Sequence, residues 1–306
     1  MNAFVGFVIL SHSALDLLDQ LVRALNRAYG DPPIAVHHDF FQSKIDVRGL
    51  KGNIRFVEPS LITQWGQISA IRASLSALRE LYQNYDPEWF TLLSAADYPI
   101  MPGRLVVKEL RESGFDLYMD YQLVERNPSP QHENSQSRVA APKPNWRQNA
   151  YNRYVAKTIM LPPFINEESR RPFLIRNEFL LRPFLPYTSG WKCYAGDHWF
   201  TGNRKVASIL LSEAPNIRRT MKHLSHRFAA DESFYQTVLA NQPNIQICKD
   251  NKRYAHWAGQ DAHPKVLEID DLSAILESRC HFARKFSAER PSQLIESLNR
   301  VIQGRA

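Results

Sequence analysis

The sequence predicts an α/β fold built on a mainly parallel sheet flanked by helices, with one long inserted segment. Three observations carry this. Short, nearly continuous apolar runs recur through the first third of the chain, as strands buried on both faces require. Stretches of helical periodicity separate them, which is the alternation that makes a parallel sheet with crossover helices. From about Val124 to Ser189 the alternation stops, and a segment rich in Pro, Arg and Asn takes over.

Phe4–Leu10 is the first buried strand. Ala14–Tyr29 follows with Leu17, Leu18, Leu21, Val22 and Leu25 on one face, and Gly30 stops the helix. Ile34–His38 and Ile54–Val57 are further short strands, and Ile68–Tyr85 is an amphipathic helix marked by Ile71, Leu75, Leu78, Leu81 and Tyr82. Trp89–Ser94 is the fourth strand, running into the loop Ala95-Ala96-Asp97-Tyr98-Pro99. In the 124–189 excursion, helical turns are expected around Trp146–Ile159. After it, Trp199-Phe200-Thr201-Gly202 leads into a helix over Arg204–Ala214, Asp231-Glu232 opens another through Leu239, and Ile245–Ile247 is a short strand. In such a sheet the ligand sits beyond the carboxyl ends of the strands.

A chain of 306 residues with 44% hydrophobic content buries a large core, and a single domain over 1–306 is expected. No apolar stretch reaches the roughly 18 residues of a membrane span, and Phe4–Leu10 lacks the basic flank of a signal sequence, so a cytoplasmic protein is expected. Cys193, Cys248 and Cys280 are widely spaced and read as reduced thiols. The net charge of +7 favours phosphate-bearing partners. Because the cations are scattered and no nucleic-acid-binding motif occurs, a nucleic-acid binder is only an alternative, and a peripheral contact with an anionic membrane surface stays open. There is no P-loop, no G-x-G-x-x-G after the first strand, no G-x-S-x-G and no H-E-x-x-H, which removes the kinase, dehydrogenase, hydrolase and zincin readings. There is also no Asp-x-Asp to carry a divalent ion; Glu268-Ile269-Asp270 is the nearest approach, and it falls late in the chain.

A series of blocks in fixed order gives a resemblance: Ser11-His12; Val36-His37-His38-Asp39 with Ser43-Lys44; Trp65-Gly66; Leu93-Ser94-Ala95-Ala96-Asp97-Tyr98-Pro99; Gly196-Asp197-His198-Trp199-Phe200; Asp231-Glu232-Ser233-Phe234; Arg253 with Trp257; and His263-Pro264 through Phe286. In these blocks the chain resembles glycosyltransferase family 14, the core-2/I-branching β-1,6-N-acetylglucosaminyltransferases and peptide O-xylosyltransferases. The resemblance implies a GT-A-like nucleotide-binding sheet and an inverting transferase that works without a metal or other cofactor. The donor it implies is a UDP-sugar carrying N-acetylglucosamine or xylose, and the acceptor is a glycan or glycolipid read by the 124–189 segment. A catalytically inactive nucleotide- or sugar-binding protein is the competing expectation.

The chemistry agrees with the resemblance in outline, since inverting transfer needs one carboxylate to take the acceptor proton and positive charge to stabilise the departing UDP. By resemblance Glu232 is the general base, although acids at a helix start also serve as caps. Arg253 and Lys285 match the cations that stand in for a metal on the diphosphate, with Arg284 a weaker candidate. Asp39 is placed to meet uridine or ribose, or to act as a turn residue accepting backbone N–H groups. Asp97 is assigned to the donor pocket, and His37 to the nucleotide-binding set or to packing. Asp197 occupies a position that is often Ser in the family. Trp199, Trp257 and Asp231 are candidates for substrate contact, Trp191 is a further candidate for stacking, and Trp65 is expected to be buried. No metal ligands are assigned.

Overall fold

The computed structural model describes residues 3–12, 15–125, 146–155, 157–159, 173–175, 185–257, 264–287 and 293–304. The apolar run at the start forms strand β1 (Val5–Ser11), which is buried almost throughout. Its side chains feed two cores, Val8 on one face and Val5, Phe7 and Ile9 on the other, as expected of a strand covered on both sides. The following strands are β2 (Ile34–His38), β3 (Ile54–Phe56), β4 (Trp89–Ser94), β5 (Asp97–Pro99), β6 (Leu117–Tyr118), β7 (Gln122–Leu123), β8 (Lys157–Ile159) and β9 (Phe173–Ile175). The later ones are β10 (Tyr194–Ala195), β11 (Thr201–Asn203), β12 (Ile247–Cys248), β13 (Arg253–Ala255) and β14 (Phe282–Arg284).

Seven strands make the main sheet in the order β12-β6-β11-β4-β1-β2-β3, with only β11 antiparallel to its neighbours. Register aligns one edge of this sheet, because Ser11 lies opposite His38 and Leu10 opposite Ser94. The segments that leave β1, β2 and β4 therefore emerge together. A second sheet, β13-β14-β5, has β14 antiparallel to β5 with Arg284 opposite Asp97. The Asp97-Tyr98-Pro99 stretch, expected as a loop, is thus a strand that draws the C-terminal part of the chain to the end of β4. The small pairs β7–β10 and β8–β9 complete the described strands.

Helices α1 (Leu15–Tyr29), α2 (Ile68–Asn84), α3 (Gly103–Glu112) and α4 (Trp146–Tyr154) precede α5 (Arg204–Leu210), α6 (Pro215–Leu224), α7 (Phe234–Ala240), α8 (Leu272–Glu277) and α9 (Gln293–Ile302). Helix α5 ends at Leu210 rather than Ala214, because Pro215 opens α6 at its first position, where a missing N–H costs nothing. Of the 124–189 segment, α4 and β8–β9 are described, so the expected helical turns are present as far as Tyr154 and give way to a strand at Lys157. No helix among the described residues is long and apolar enough to cross a membrane. All three cysteines are free thiols.

Helix α2 packs across β1 at Gly6, where an added Cβ would lie 3.0 Å from the Leu81 methyls. Leu81 is itself fully buried, so Leu81→Ala is expected to lower the free energy of unfolding by about 3 kcal/mol. Urea denaturation followed by circular dichroism checks this through a lower midpoint at unchanged slope.

Candidate active site

The segments leaving β1, β2 and β4 carry the first group of expected residues. Asp39, directly after β2, is sealed from solvent, and both of its oxygens are occupied. Oδ1 accepts the Phe41 N–H at 3.0 Å and the Gln42 N–H at 3.3 Å. Oδ2 accepts from Gln42 Nε2 at 2.7 Å, the Thr63 N–H at 2.6 Å and Thr63 Oγ1 at 2.8 Å. Burial opposes ionisation, but these donors outweigh it and lower the Asp39 pKa to about 2. Of its two expected roles, the turn role is the one its contacts fill: Asp39 clamps the 40–43 turn to the 61–65 loop. His37 does related work, with Nε2 accepting the Leu61 N–H at 2.9 Å, and burial holds its pKa below the ordinary value. His38 is also buried, with Nδ1 3.0 Å from Ser11 Oγ and Nε2 2.7 Å from the Ser43 carbonyl.

Lys285 follows β14 and reaches the same edge. Its ammonium is close enough to His12 to act with desolvation in lowering that histidine's pKa, against the pull of Asp39. Arg253 is placed differently from the expectation of a cation open to the diphosphate. It is 2% exposed, donates from Nη2 to the Leu92 carbonyl of β4 at 2.7 Å, and stacks its guanidinium on Phe282 at 4.8 Å. Burial lowers its pKa, against Asp97 and Asp197. Arg284 lies above the Trp199 ring at 4.6 Å, with Nε 3.7 Å from Asp97 Oδ1. Asp97 is fully buried, its Oδ2 accepting the Ser94 N–H at 3.0 Å. Asp197, also desolvated and raised in pKa, accepts from Asn251 Nδ2 at 2.8 Å. Together these residues form a charge cluster between the two sheets.

Glu232 ends a short 3₁₀ turn, Ala230–Glu232, that begins after Ala229 in the left-handed region at φ 52°. Such a conformation costs an alanine about 1 kcal/mol and is held here by its neighbours. Tyr154 Oη donates to the Ala229 carbonyl at 2.8 Å, the Ala230 N–H reaches the Gly66 carbonyl at 3.3 Å, and the Gly196 N–H reaches the Glu232 carbonyl at 2.9 Å. A Cβ on Gly196 would fall 2.2 Å from the Asp120 carbonyl, so only glycine lets this strand approach so closely.

Neither acid acts as the side-chain cap of α7, whose N-cap is Ser233 without a cap bond. Glu232 Oε2 instead pairs with Arg153 Nη1 at 3.0 Å and lies 3.4 Å from Tyr154 Oη, while 45% of the side chain stays open. Desolvation raises its pKa to about 7, with Arg153 opposing and Asp231 and Asp197 adding to the rise. Asp231 turns to His198, Oδ2 to Nδ1 3.1 Å, and this contact outweighs burial to hold its pKa low.

The tryptophans part company with expectation. Trp65 is 63% exposed rather than buried, and its ring meets Phe228 edge-on at 5.0 Å. The left-handed Gly66 leaves room for Phe228 at that bend, where a Cβ would come within 2.7 Å of its ring. Trp199 and Trp191 are buried instead, Trp199 stacked on His198 and Trp191 donating to Thr220 Oγ1 at 3.0 Å. Trp257, just after β13, is partly exposed. Glu268, from the late acidic triplet, forms a capping box with Asp271 on the 3₁₀ turn Ile269–Asp271. Among the described residues no group of three or more His, Cys, Asp or Glu is arranged to hold a metal ion.

Sequence reasoning missed Arg153 and His198. Arg153 sits on a polar helix within a segment that carries no recognisable pattern, and nothing in the sequence marks it as a partner of Glu232. His198 stands inside the Gly196–Phe200 block that carries the resemblance, and that placement was the available signal.

Residues 5–276 match the protein-family model described as Core-2/I-Branching enzyme. Xylosyltransferase 1 of Canis lupus familiaris is 25% identical over 275 residues, covering 83% of this chain and 25% of that protein. Beta-glucuronosyltransferase GlcAT14A of Arabidopsis thaliana is 22% identical over 246 residues, covering 78% of this chain and 48% of that protein. The chain thus spans about a quarter to a half of the length of these relatives. The galactosyltransferase LgtC, crystallised with donor and acceptor sugar analogues, superposes over 97% of this chain and 95% of its own at 11% identity and a TM-score of 0.37, a likeness too slight to bear on function.

The Asp39 clamp yields a test. Because its folded pKa lies near 2, below the ordinary 3.8, its contribution is fully present above the ordinary value and is lost as pH falls toward 2. Asp39→Asn is expected to cost about 2 kcal/mol at neutral pH and to flatten the loss of stability between about pH 4 and pH 2. Thermal denaturation across that range measures both effects.

Proposed function

Because the chain belongs to the Core-2/I-branching enzyme family, matching it from residue 5 to residue 276, we propose that it is a glycosyltransferase. In this reading it moves a sugar from a UDP-linked donor to a hydroxyl of a glycan or glycolipid, with inversion and without a metal ion. The observation that carries the reading is Glu232: a half-open carboxylate with a pKa raised to about 7, inside the family-matched region and on a turn whose Ala230 N–H reaches the Gly66 carbonyl just ahead of α2. The relatives named above transfer xylose and glucuronic acid by their names, and xylose or N-acetylglucosamine is the donor sugar proposed here.

The acceptor oxygen attacks the anomeric carbon on the face opposite UDP. The new C–O bond forms as the bond to the β-phosphate oxygen breaks, its electron pair leaves with UDP, and the hydroxyl proton passes to Glu232. A carboxylate with a pKa near 7 is ionised in half the molecules at neutral pH and is a far stronger base than an ordinary glutamate. Arg153 holds it in place at rest and joins it to a surface that runs through Phe228 to the largely exposed Trp65, with the guanidinium 5.6 Å from the Phe228 ring. That surface is proposed to receive the acceptor, since a sugar ring presents an apolar face that an exposed indole covers well. Lys285 is the cation proposed to meet the diphosphate. Arg253 acts from behind, fixing β13 and β14 rather than touching the ligand.

Three measurements test the reading. UDP release from UDP-xylose in the presence of acceptor is expected to rise with pH to a plateau, half-maximal near pH 7, because the ionised base is the active form. It should survive excess EDTA and fall at least about a hundredfold in Glu232→Gln, whereas UDP binding without turnover in the parent protein would favour an inactive nucleotide binder. Lys285→Ala should weaken UDP binding at least about tenfold in calorimetry with little change in stability. Arg253→Met should instead lower stability by about 3 kcal/mol, because Asp97 and Asp197 lose their buried counter-charge.

A further inference from the structure

His198 stands beside the proposed base and has no part in the transfer step just described. Its ring lies between Trp199, at 4.5 Å with planes 12° apart, and Tyr235, at 5.5 Å and 17°. The column is closed at both ends. Arg284 covers the far face of Trp199, and Tyr235 is fixed through its hydroxyl to Ser74. Stacked on two faces, the imidazole can turn only in its own plane, and Asp231 Oδ2 sets that orientation by holding Nδ1 at 3.1 Å. Nε2 is buried and has no hydrogen-bond partner among the described residues, and neither has Asp231 Oδ1.

Asp231 is also the residue before Glu232 on the same 3₁₀ turn. A fixed carboxylate at that position disfavours ionisation of the base, and a group hydrogen-bonded to that carboxylate weakens the effect. We infer that His198 and Asp231 form a positioning dyad for Glu232, in which Asp231 orients the ring and the ring, hydrogen-bonded to Asp231, screens that carboxylate from the base. Direct contact with substrate is no part of this role. The other groups facing Glu232 are Arg153 and Tyr154 from α4 and Asp197 from the segment before β11. Around His198 the remaining charges are Asp197, its neighbour in sequence, and Arg284 across the indole. The directions agree: Asp231 raises the proton affinity of Glu232, and His198 lowers it.

For turnover the inference rests on Glu232 being the base, but the coupling can be measured without activity. In protein labelled with ¹³C at glutamate side-chain carboxyls, the Glu232 signal is assigned by its loss in Glu232→Gln and titrated in the intact chain. His198→Gln, which removes the ring and leaves Asp231 unscreened, should raise the midpoint by about one unit. Asp231→Asn should lower it by about as much, and the double variant should fall between the two. Opposite shifts sustain the dyad; no shift in either variant, or shifts of the same sign, overturns it. Should His198→Gln fail to fold, Asp231→Asn decides alone, a lowered midpoint sustaining the dyad and an unchanged one overturning it. The pH midpoint of UDP release from UDP-xylose should move in parallel. If the carboxyl shifts as expected while UDP-xylose is not turned over, the dyad stands and the transferase reading fails.

Discussion

A guanidinium buried between two sheets governs where the candidate site forms. Removing Arg253 from water costs several kcal/mol, and a set of partners must offset it although its Nε and Nη1 find no hydrogen-bond acceptor among the described residues. The Leu92 carbonyl, the face of Phe282 and the charges of Asp97 and Asp197 supply that set, and they come from β4, β14, the strand after β4 and the segment before β11. The contact locks the small sheet to the large one. Since Arg284 and Lys285 come two and three residues after Phe282, the lock also decides that one cation covers Trp199 and the other reaches the edge where β1 and β2 end. Arg253 thus serves the site as a framework residue.

A second constraint concerns the base. Glu232 owes its high proton affinity first to desolvation by the elements around its turn, and then to the balance of Arg153 against Asp231 and Asp197. The turn itself is an unfavourable backbone, with Ala229 in the left-handed region, and it is kept by hydrogen bonds from Tyr154 and to Gly66 and by the close packing of Gly196. Three distant parts of the chain thereby meet at one carboxylate. One of them, α4, belongs to the inserted segment, so that segment contributes to the site electrostatically, whatever its remaining residues do.

Much of the fold was legible in the residues. The run from Val5 to Ser11, the helix ending at Tyr29 before Gly30, and the Trp89–Ser94 strand follow from apolar periodicity and helix-stop chemistry acting locally. Strand β5 was not legible, because three residues ending in proline look like a turn until β14 arrives from far along the chain to pair with them. The same holds for side chains. Asp39 followed by a polar turn was readable as a turn residue, but that it would also gather Thr63 depended on a loop more than twenty residues away. Trp65 was expected in the core on hydrophobicity alone, yet its place on a left-handed bend at Gly66 turns it outward.

The sequence by itself determined the parallel α/β framework, the family through the order of its blocks, and Glu232 as the acid to examine, because strand runs, helix stops and short motifs are local properties of the chain. Only the tertiary structure decided that Arg253 lies inside while Lys285 reaches the edge, that Arg153 faces the base, and that His198 is paired with Asp231. These are matters of burial and of charges brought together across long stretches of chain, and desolvation and Coulomb interaction depend on distance in space rather than along the sequence.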